Sequence, residues 1–182
     1  MIDLKPFCGD ESFRAYLNAP FSRGGYTWAT NGHIMVRVPL RPEIPDNERA
    51  PEKVQSTWDS VVAMHATDKW TPIKAFTLPP AGRESCGCYD GKVHECPDCA
   101  CECDNCDGTG TVSEVQYVTF RYAAMNGKYA SAILALPSLE VSLPHDGHML
   151  FRFDGGEGIL MLIRGHSSDY DAIADLETGP KK

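Results

Sequence analysis

Asn31-Gly-His-Ile-Met-Val-Arg-Val38 and Asp146-Gly-His-Met-Leu-Phe-Arg-Phe153 are two versions of one pattern. Gly, His and Arg are identical, and each remaining position is a close substitution. Asn-Gly and Asp-Gly are the dipeptides of type I′ hairpin turns, because both central residues need a positive φ. After each turn the side chains alternate. Ile34, Val36 and Val38 oppose His33, Met35 and Arg37; Met149, Phe151 and Phe153 oppose His148, Leu150 and Arg152. A period of two marks each as a half-buried strand.

Outward from these strands, each copy follows a helix candidate. Residues 11–19 place Phe13, Tyr16 and Leu17 on one stripe. Residues 126–136 do the same with Tyr129, Ile133 and Leu136, and Leu134 lies nearby. Pro20 and Pro137 end the two segments alike. The unit is therefore helix, strand, turn, strand, written twice. The competing reading is two similar hairpins produced by common turn chemistry. His33 and His148 repeat with their hairpins, and local hydrogen bonding is the expected role of each.

Between the copies lies a different kind of sequence. Seven of the eight cysteines fall between Cys86 and Cys106, while Cys8 lies far from them. The run holds C-x-C at Cys86/Cys88 and C-x-x-C at Cys96/Cys99 and Cys103/Cys106, together with His94 and Cys101. Thiols kept reduced in such density read first as a metal site. Cys86, Cys88, His94, Cys96, Cys99, Cys101, Cys103 and Cys106 would fill two closed tetrahedral zinc sites, with one or two ions as the expected content. We expect nesting, with Cys86 and Cys88 meeting Cys103 and Cys106 at the neck of the loop and the other four nearer its tip. A redox-active or disulfide-bonded loop and an iron–sulfur cluster are the alternatives. The segment has almost no apolar side chains, so coordination must replace burial; zinc supplies roughly 10–16 kcal/mol of apparent free energy in small sites. Protein ligands at every position leave no place for substrate, which makes the zinc structural.

Cys103-Asp-Asn-Cys106-Asp-Gly-Thr-Gly110 resembles one repeat of the cysteine-rich domain of DnaJ-type chaperones, and Cys96-Pro-Asp-Cys99 a partial second. That family carries four such repeats and a J-domain His-Pro-Asp motif; here two repeats at most are present and the motif is missing. The likeness implies a zinc-binding loop and no chaperone cycle.

Outside the loop, the chain resembles the bacterial β sliding clamps. Ala29-Thr30-Asn31-Gly32-His33 looks like their A-T-D-G-H-R turn, Tyr129-x-x-x-Ile133-x-x-Leu136 like their final helix, and Gly158-Ile-Leu-Met-Leu-Ile-Arg164 like their last strand. The resemblance implies an α+β fold, one clamp-like domain of two β-α-β-β-β halves with both helices on one face. It also implies a partner-peptide groove at Thr30, Gly32, His33, Met161, Ile163 and Arg164. Asn31 replaces the family's Asp, Ile34 its Arg and Leu162 its Pro. Ordinary strand and turn roles for the six are the competing reading. The clamps meet DNA through helix cations; Arg14, Arg23 and Lys128 are few for that purpose. DNA contact is left open, and encirclement would need a homo-oligomer.

The expected division is residues 1–84 as the first half with its linker, 85–110 as the zinc insertion, 111–166 as the second half, and 167–182 as a mobile acidic tail. A further helix is expected over 52–67, and strands over 70–78 and 111–122. The chain of 182 residues has a net charge of -8, against a protein that coats nucleic acid over most of its surface. The cysteine segment sets six carboxylates against Lys92, which favours a protein contact over DNA reading. No apolar run approaches the ~20 residues of a membrane span, and the N-terminus lacks an export layout, so a cytoplasmic protein without membrane contact is expected. No nucleophile elbow, phosphate loop or H-E-x-x-H occurs. These observations point to a zinc-stabilised, non-enzymatic clamp-like interaction module with a protein or peptide partner. Its reduced form fits phage or prophage DNA metabolism. A redox or metal-responsive protein acting through the cysteine loop is the alternative.

Overall fold

The computed structural model describes residues 1–9, 17–46, 54–65, 69–86, 106 and 109–181. The chain forms two compact units, one of Met1–Leu78 with Tyr117–Lys182 and one of Pro79–Gln116. The cysteine insertion is thus wider than its cysteines, taking in flanking residues 79–84 and 111–116.

The larger unit is built on seven strands: β1 (Phe21–Arg23), β2 (Tyr26–Thr30), β3 (Ile34–Pro39), β4 (Thr71–Pro72), β9 (Glu140–Val141), β10 (His148–Phe153) and β11 (Gly156–Met161). They pair antiparallel throughout, in the order β1-β2-β3-β11-β10-β9-β4. A second sheet holds β7 (Tyr117–Phe120), β8 (Ala123–Asn126), β12 (Ala172–Asp175) and β13 (Gly179–Pro180), in the order β13-β12-β7-β8. The described helices are α1 (Val54–Met64) and α2 (Gly127–Leu134). The α+β class is therefore as read. Among the described residues no helix is long and apolar enough to cross a membrane.

The two Gly-His strands flank the same neighbour in the same register. Leu160 of β11 pairs with Ile34 on one side and Met149 on the other; Ile159 pairs with Met35 and Leu150, and Glu157 with Arg37 and Arg152. Their turns differ. Asp146 and Gly147 have φ 45 and 76 between a reciprocal pair of 2.8 Å hydrogen bonds joining His145 and His148, as a type I′ turn requires. In the first copy only Gly32 has a positive φ, 92. There the Asn31 side chain accepts from the backbone of His33 at 2.9 Å and Ile34 at 3.1 Å, closing the turn by a side-chain route.

The large sheet is covered on both faces. Ile34, Val36, Val38, Met149, Phe151 and Leu160 join one core with Ala130 and Ile133 of α2 and Val118, Phe120, Met125 and Ala174 of the smaller sheet. Trp28, Leu150 and Ile159 join another with Val54, Trp58 and Val61 of α1. Leu150, expected on an open face, is buried because α1 lies over it. Gly158 makes room for the first core: a Cβ there would lie 2.1 Å from Phe151 Cζ, an impossible contact.

Several expectations are corrected. Helices α1 and α2 lie over opposite faces of the sheet, where β3, β10 and β11 carry apolar residues at both parities; α1 is not one of the two helices expected to share a face, which were those over 11–19 and 126–136. The candidate helix over 11–19 falls largely outside the described residues, and Leu17 at its end packs with α1. Helix 52–67 is seen as α1, with Val54, Trp58 and Val61 buried, and helix 126–136 as α2, capped by the Asn126 side chain on Lys128 N. The strand over 70–78 shortens to β4, whose Pro72 has no N–H to continue the ladder. The strand over 111–122 divides: β6 (Thr111–Ser113) pairs with β5 (Arg83–Ser85) in the small unit, and β7 belongs to the large one. The segment expected to be a mobile tail contributes β12 and β13 to the second sheet. Residues Ala172, Ala174 and Leu176 alternate inward, β12 runs parallel to β7, and Leu176 is buried beside Thr119. A short period-two pattern was there to be read beneath the acidic charge.

Candidate functional site

Three places in the molecule gather chemistry-bearing side chains. The first is the end of the large sheet where both Gly-His turns open. Thr30, Gly32, His33, Ile34, Met35, His148 and Met161 border a small hollow of about 100 Å³, roofed by Thr57 and Val61 of α1. Beside it, Tyr122, Pro144, Gly147, Leu162, Ile163 and Arg164 border a wider one of about 440 Å³. The six residues expected to form a single partner groove are therefore divided. Thr30, Gly32, His33 and Met161 belong to the small hollow, Ile163 and Arg164 to the wide one. The wide hollow has a fixed wall. Tyr122 Oη donates to the Pro144 carbonyl and Tyr170 Oη to that of Arg164, while Ile163 N donates to Ala124 O at 2.9 Å. These tyrosine props carry no sequence signal, because each is made across the fold rather than along the chain. Tyr122, Leu143 and Met161 stand exposed at this end, a local apolar surface.

Both histidines bond locally through their backbones, His33 N to Asn31 Oδ1 and His148 reciprocally with His145. Among the described residues the Nδ1 of His148 is buried and has no hydrogen-bond partner. His33 stacks on Tyr129 of α2, with ring centroids 6.0 Å apart.

The second place is the opposite end of the same sheet. Glu140, Arg152, Glu157 and Arg37 stand side by side on β9, β10, β11 and β3. Arg37 bonds Glu157 at 2.6 and 2.8 Å, and Arg152 bonds Glu140. The Arg37 guanidinium lies 4.0 Å from the Trp58 ring centre and 4.3 Å from that of Tyr26; Arg152 lies 4.5 Å from Trp70. The cleft beside them measures about 770 Å³. Both arginines already face carboxylates, so the cleft offers phosphates no uncompensated guanidinium. This ladder is architecture: each charge satisfies the next strand's.

The third place is the stem of the small unit. Strands β5 and β6 pair Arg83 with Ser113 and Ser85 with Thr111. Immediately beyond them Cys86 and Cys106 are both buried and pack together, with Val112 against them. Cys86 N donates to Gly110 O at 2.9 Å, and the Cys106 carbonyl accepts from Thr109 N at 2.9 Å and Thr109 Oγ1 at 2.6 Å. The outermost thiols of the run therefore meet at the neck. Cys88, His94, Cys96, Cys99, Cys101 and Cys103 lie outside the described residues, and among those described no three of His, Cys, Asp or Glu gather. Two sulfur donors side by side are half of a tetrahedral thiolate set.

Two further polar groups look like chemistry and are explained by burial. Ser142 Oγ lies 3.1 Å from His65 Nδ1, but the serine is fully buried and its hydroxyl also meets Leu150 N at 3.0 Å and Leu143 O at 3.2 Å. A saturated hydroxyl in the core is a structural hydrogen bond and no nucleophile. Cys8 is half-buried, and burial pushes its thiol up to about 11 from the usual 9.0, the opposite of an activated cysteine.

No family model, curated protein or solved structure matches this chain. The functional reading accordingly rests on the site geometry.

Proposed function

We propose that the chain is a non-enzymatic, zinc-stapled interaction module that takes a protein or peptide partner at the turn end of its large sheet. The observation that carries the staple is the burial of Cys86 and Cys106 together at the top of a two-stranded stem. A two-stranded ribbon is marginal in water by itself, and all three β5 residues are exposed. Cross-linking its neck through a metal would supply order that the described ribbon lacks. Buried thiols also suit a staple better than an exposed redox pair. For the partner, the wide hollow supplies room, apolar contact from Tyr122 and Ile163, and a charged rim at Arg164. The small hollow is too narrow to accept a peptide segment. A clamp-like role in DNA metabolism belongs to this proposal on the strength of the strand-turn and last-strand resemblance only. The paired state of Arg37 and Arg152 lends it no phosphate-binding surface.

Elemental analysis of the purified full chain, before and after mild peroxide, tests the staple. One or two zinc ions per chain that survive peroxide support it. Loss of metal with disulfide formation transfers the function to the redox alternative. For the partner site, a random-peptide display selection on the folded protein should yield binders that Ile163→Glu removes at an unchanged melting temperature. Binders indifferent to that change would place the contact elsewhere.

A further inference from the structure

A second docking surface lies beside α2, separate from both the turn end and the zinc staple. The strand expected over 70–78 stops pairing at Pro72, save that Ile73 N donates to Leu139 O at 2.8 Å. The chain then runs on from Lys74 to Leu78 without a turn or a bend. Among the described residues, no backbone N–H or C=O of this stretch forms a hydrogen bond. Phe76 and Leu78 are partly buried against the first core, while Lys74, Ala75 and Thr77 are exposed. Unpaired extended backbone of this kind is a template for another strand. Five residues of it offer roughly 17 Å of main chain. Ala75, Phe76 and Thr77 border a groove of about 310 Å³ with Ser131 and Leu134 of α2 and its cap Ala135.

The groove combines the two devices by which a domain holds an extended peptide. Free main-chain groups give affinity, and a side-chain pocket beside them gives specificity. The pocket has an apolar base in Phe76 and the buried Leu134, and the small side chains of Ala75, Ser131 and Ala135 keep it open. Charge selects the occupant. No carboxylate borders the groove. Lys74 directly precedes Ala75, and Lys128 shares a helical stripe with Ser131 and Ala135 at i, i+3 and i+7. Both lysines are exposed, and neither has an ion pair among the described residues. Two uncompensated cations beside uncovered backbone favour an acidic ligand here, against the chain's net charge of -8. We infer that this groove binds an acidic peptide segment of a partner protein in extended form. The segment adds as a strand along residues 74–78 and seats an apolar side chain on Phe76 and Leu134.

The test uses the zinc-loaded full chain and a soluble octapeptide of alternating glutamate and valine, with its lysine–valine counterpart as the control. On adding the acidic peptide, the backbone NMR signals of residues 74–78, 131 and 135 should shift, and amide exchange over 74–78 should slow. Added salt should weaken the binding. A Lys74→Glu, Lys128→Glu variant should lose at least tenfold in affinity. Ser131→Trp, at an exposed helix position, fills the groove and should abolish binding at an unchanged melting temperature. Ile163→Glu should leave binding intact, which separates this surface from the turn end. Amides over 74–78 that stay in place at millimolar acidic peptide, or that respond equally to the lysine peptide, overturn the proposal. Slow exchange over 74–78 before any peptide is added also overturns it: if independent of protein concentration, the chain itself fills the groove; if rising with concentration, a second copy does.

Discussion

In the large unit, Trp28, Phe151, Leu160 and Ile133 are sealed from solvent, and two cores press on a common sheet. In the unit of Pro79–Gln116 the described residues that reach burial are Cys86 and Cys106. One region is held by area removed from water, worth about 25 cal/mol per Å². The other, on the proposed staple, is a ribbon ordered by what its sulfurs hold. On that proposal a single chain uses both means, and each should fail under a different insult.

Removing metal is the sharpest way to break the comparison and the largest expected effect. With roughly 10–16 kcal/mol of coordination free energy at stake, a strong chelator should unfold the small unit outright. Limited proteolysis would then cut within residues 79–116, and amide protection in β5 and β6 would vanish. The β3, β10 and β11 amides should keep their protection. Equal protection in β5 and β6 with and without metal would mean that the ribbon orders by another route.

The converse insult is to the core. Phe151→Ala removes a fully buried ring from the shared sheet and should cost about 3–5 kcal/mol, with zinc content unchanged. Gly158→Ala attacks the same place from the other side, driving a Cβ into that ring at a cost of about 1–3 kcal/mol. The two changes should be strongly non-additive in urea melts, because the small side chain in the double variant admits the new methyl. Simple additivity would show that the ring and the glycine are not in contact in solution.

This difference between regions also governs what could be read from the chain. The paired Gly-His strands, α2 with its Asn126 cap, and the stripe of α1 were legible because their signals are local periods. The meeting of Cys86 with Cys106 was legible from spacing. The shared register about β11 was not, since no local rule says which strand lies between two others. Nor was burial on both faces: Leu150 reads as solvent-facing until α1 is placed over it. The division of residues 111–122 at Glu114 depends on its backbone bond to Gly82 O at 2.9 Å, a contact across the cysteine run. At the turn end, sequence likeness gathered six residues into one groove that the fold separates into two hollows.

A smaller effect separates the two copies of the repeat. Asn31→Ala deletes a side-chain oxygen that serves two backbone donors, and should cost about 1 kcal/mol. Asn31→Asp keeps the acceptor and should be nearly neutral. At Asp146 the demand is conformational, with φ at 45, so Asp146→Asn should be tolerated and Asp146→Val should lose about 1–2 kcal/mol. If Asn31→Ala and Asp146→Ala proved alike, and Asp146→Val no worse than either, the distinction between a side-chain-closed and a backbone-closed turn would collapse.

The smallest effect concerns Cys8, the cysteine of the large unit, and it sharpens the comparison by thiol chemistry. Burial raises its pKa to about 11 from 9.0, with nearby Lys5 opposing the shift. Folding therefore favours the neutral thiol. That contribution is complete below pH 9, where the unfolded thiol is also protonated, and is lost as pH rises toward 11 because the unfolded chain ionises first. The stability difference between the wild type and Cys8→Ser should accordingly shrink across this window. Near pH 8 the thiolate fraction of Cys8 is about a hundredfold below that of an ordinary cysteine, so alkylation of the zinc-loaded protein should be slow at this position. The cysteines of the small unit should become reactive on chelation while Cys8 stays protected until the large unit unfolds. Mass spectrometry of alkylated peptides reads both in one experiment. Cys8 reacting in step with the small unit would show that the two regions do not fail independently.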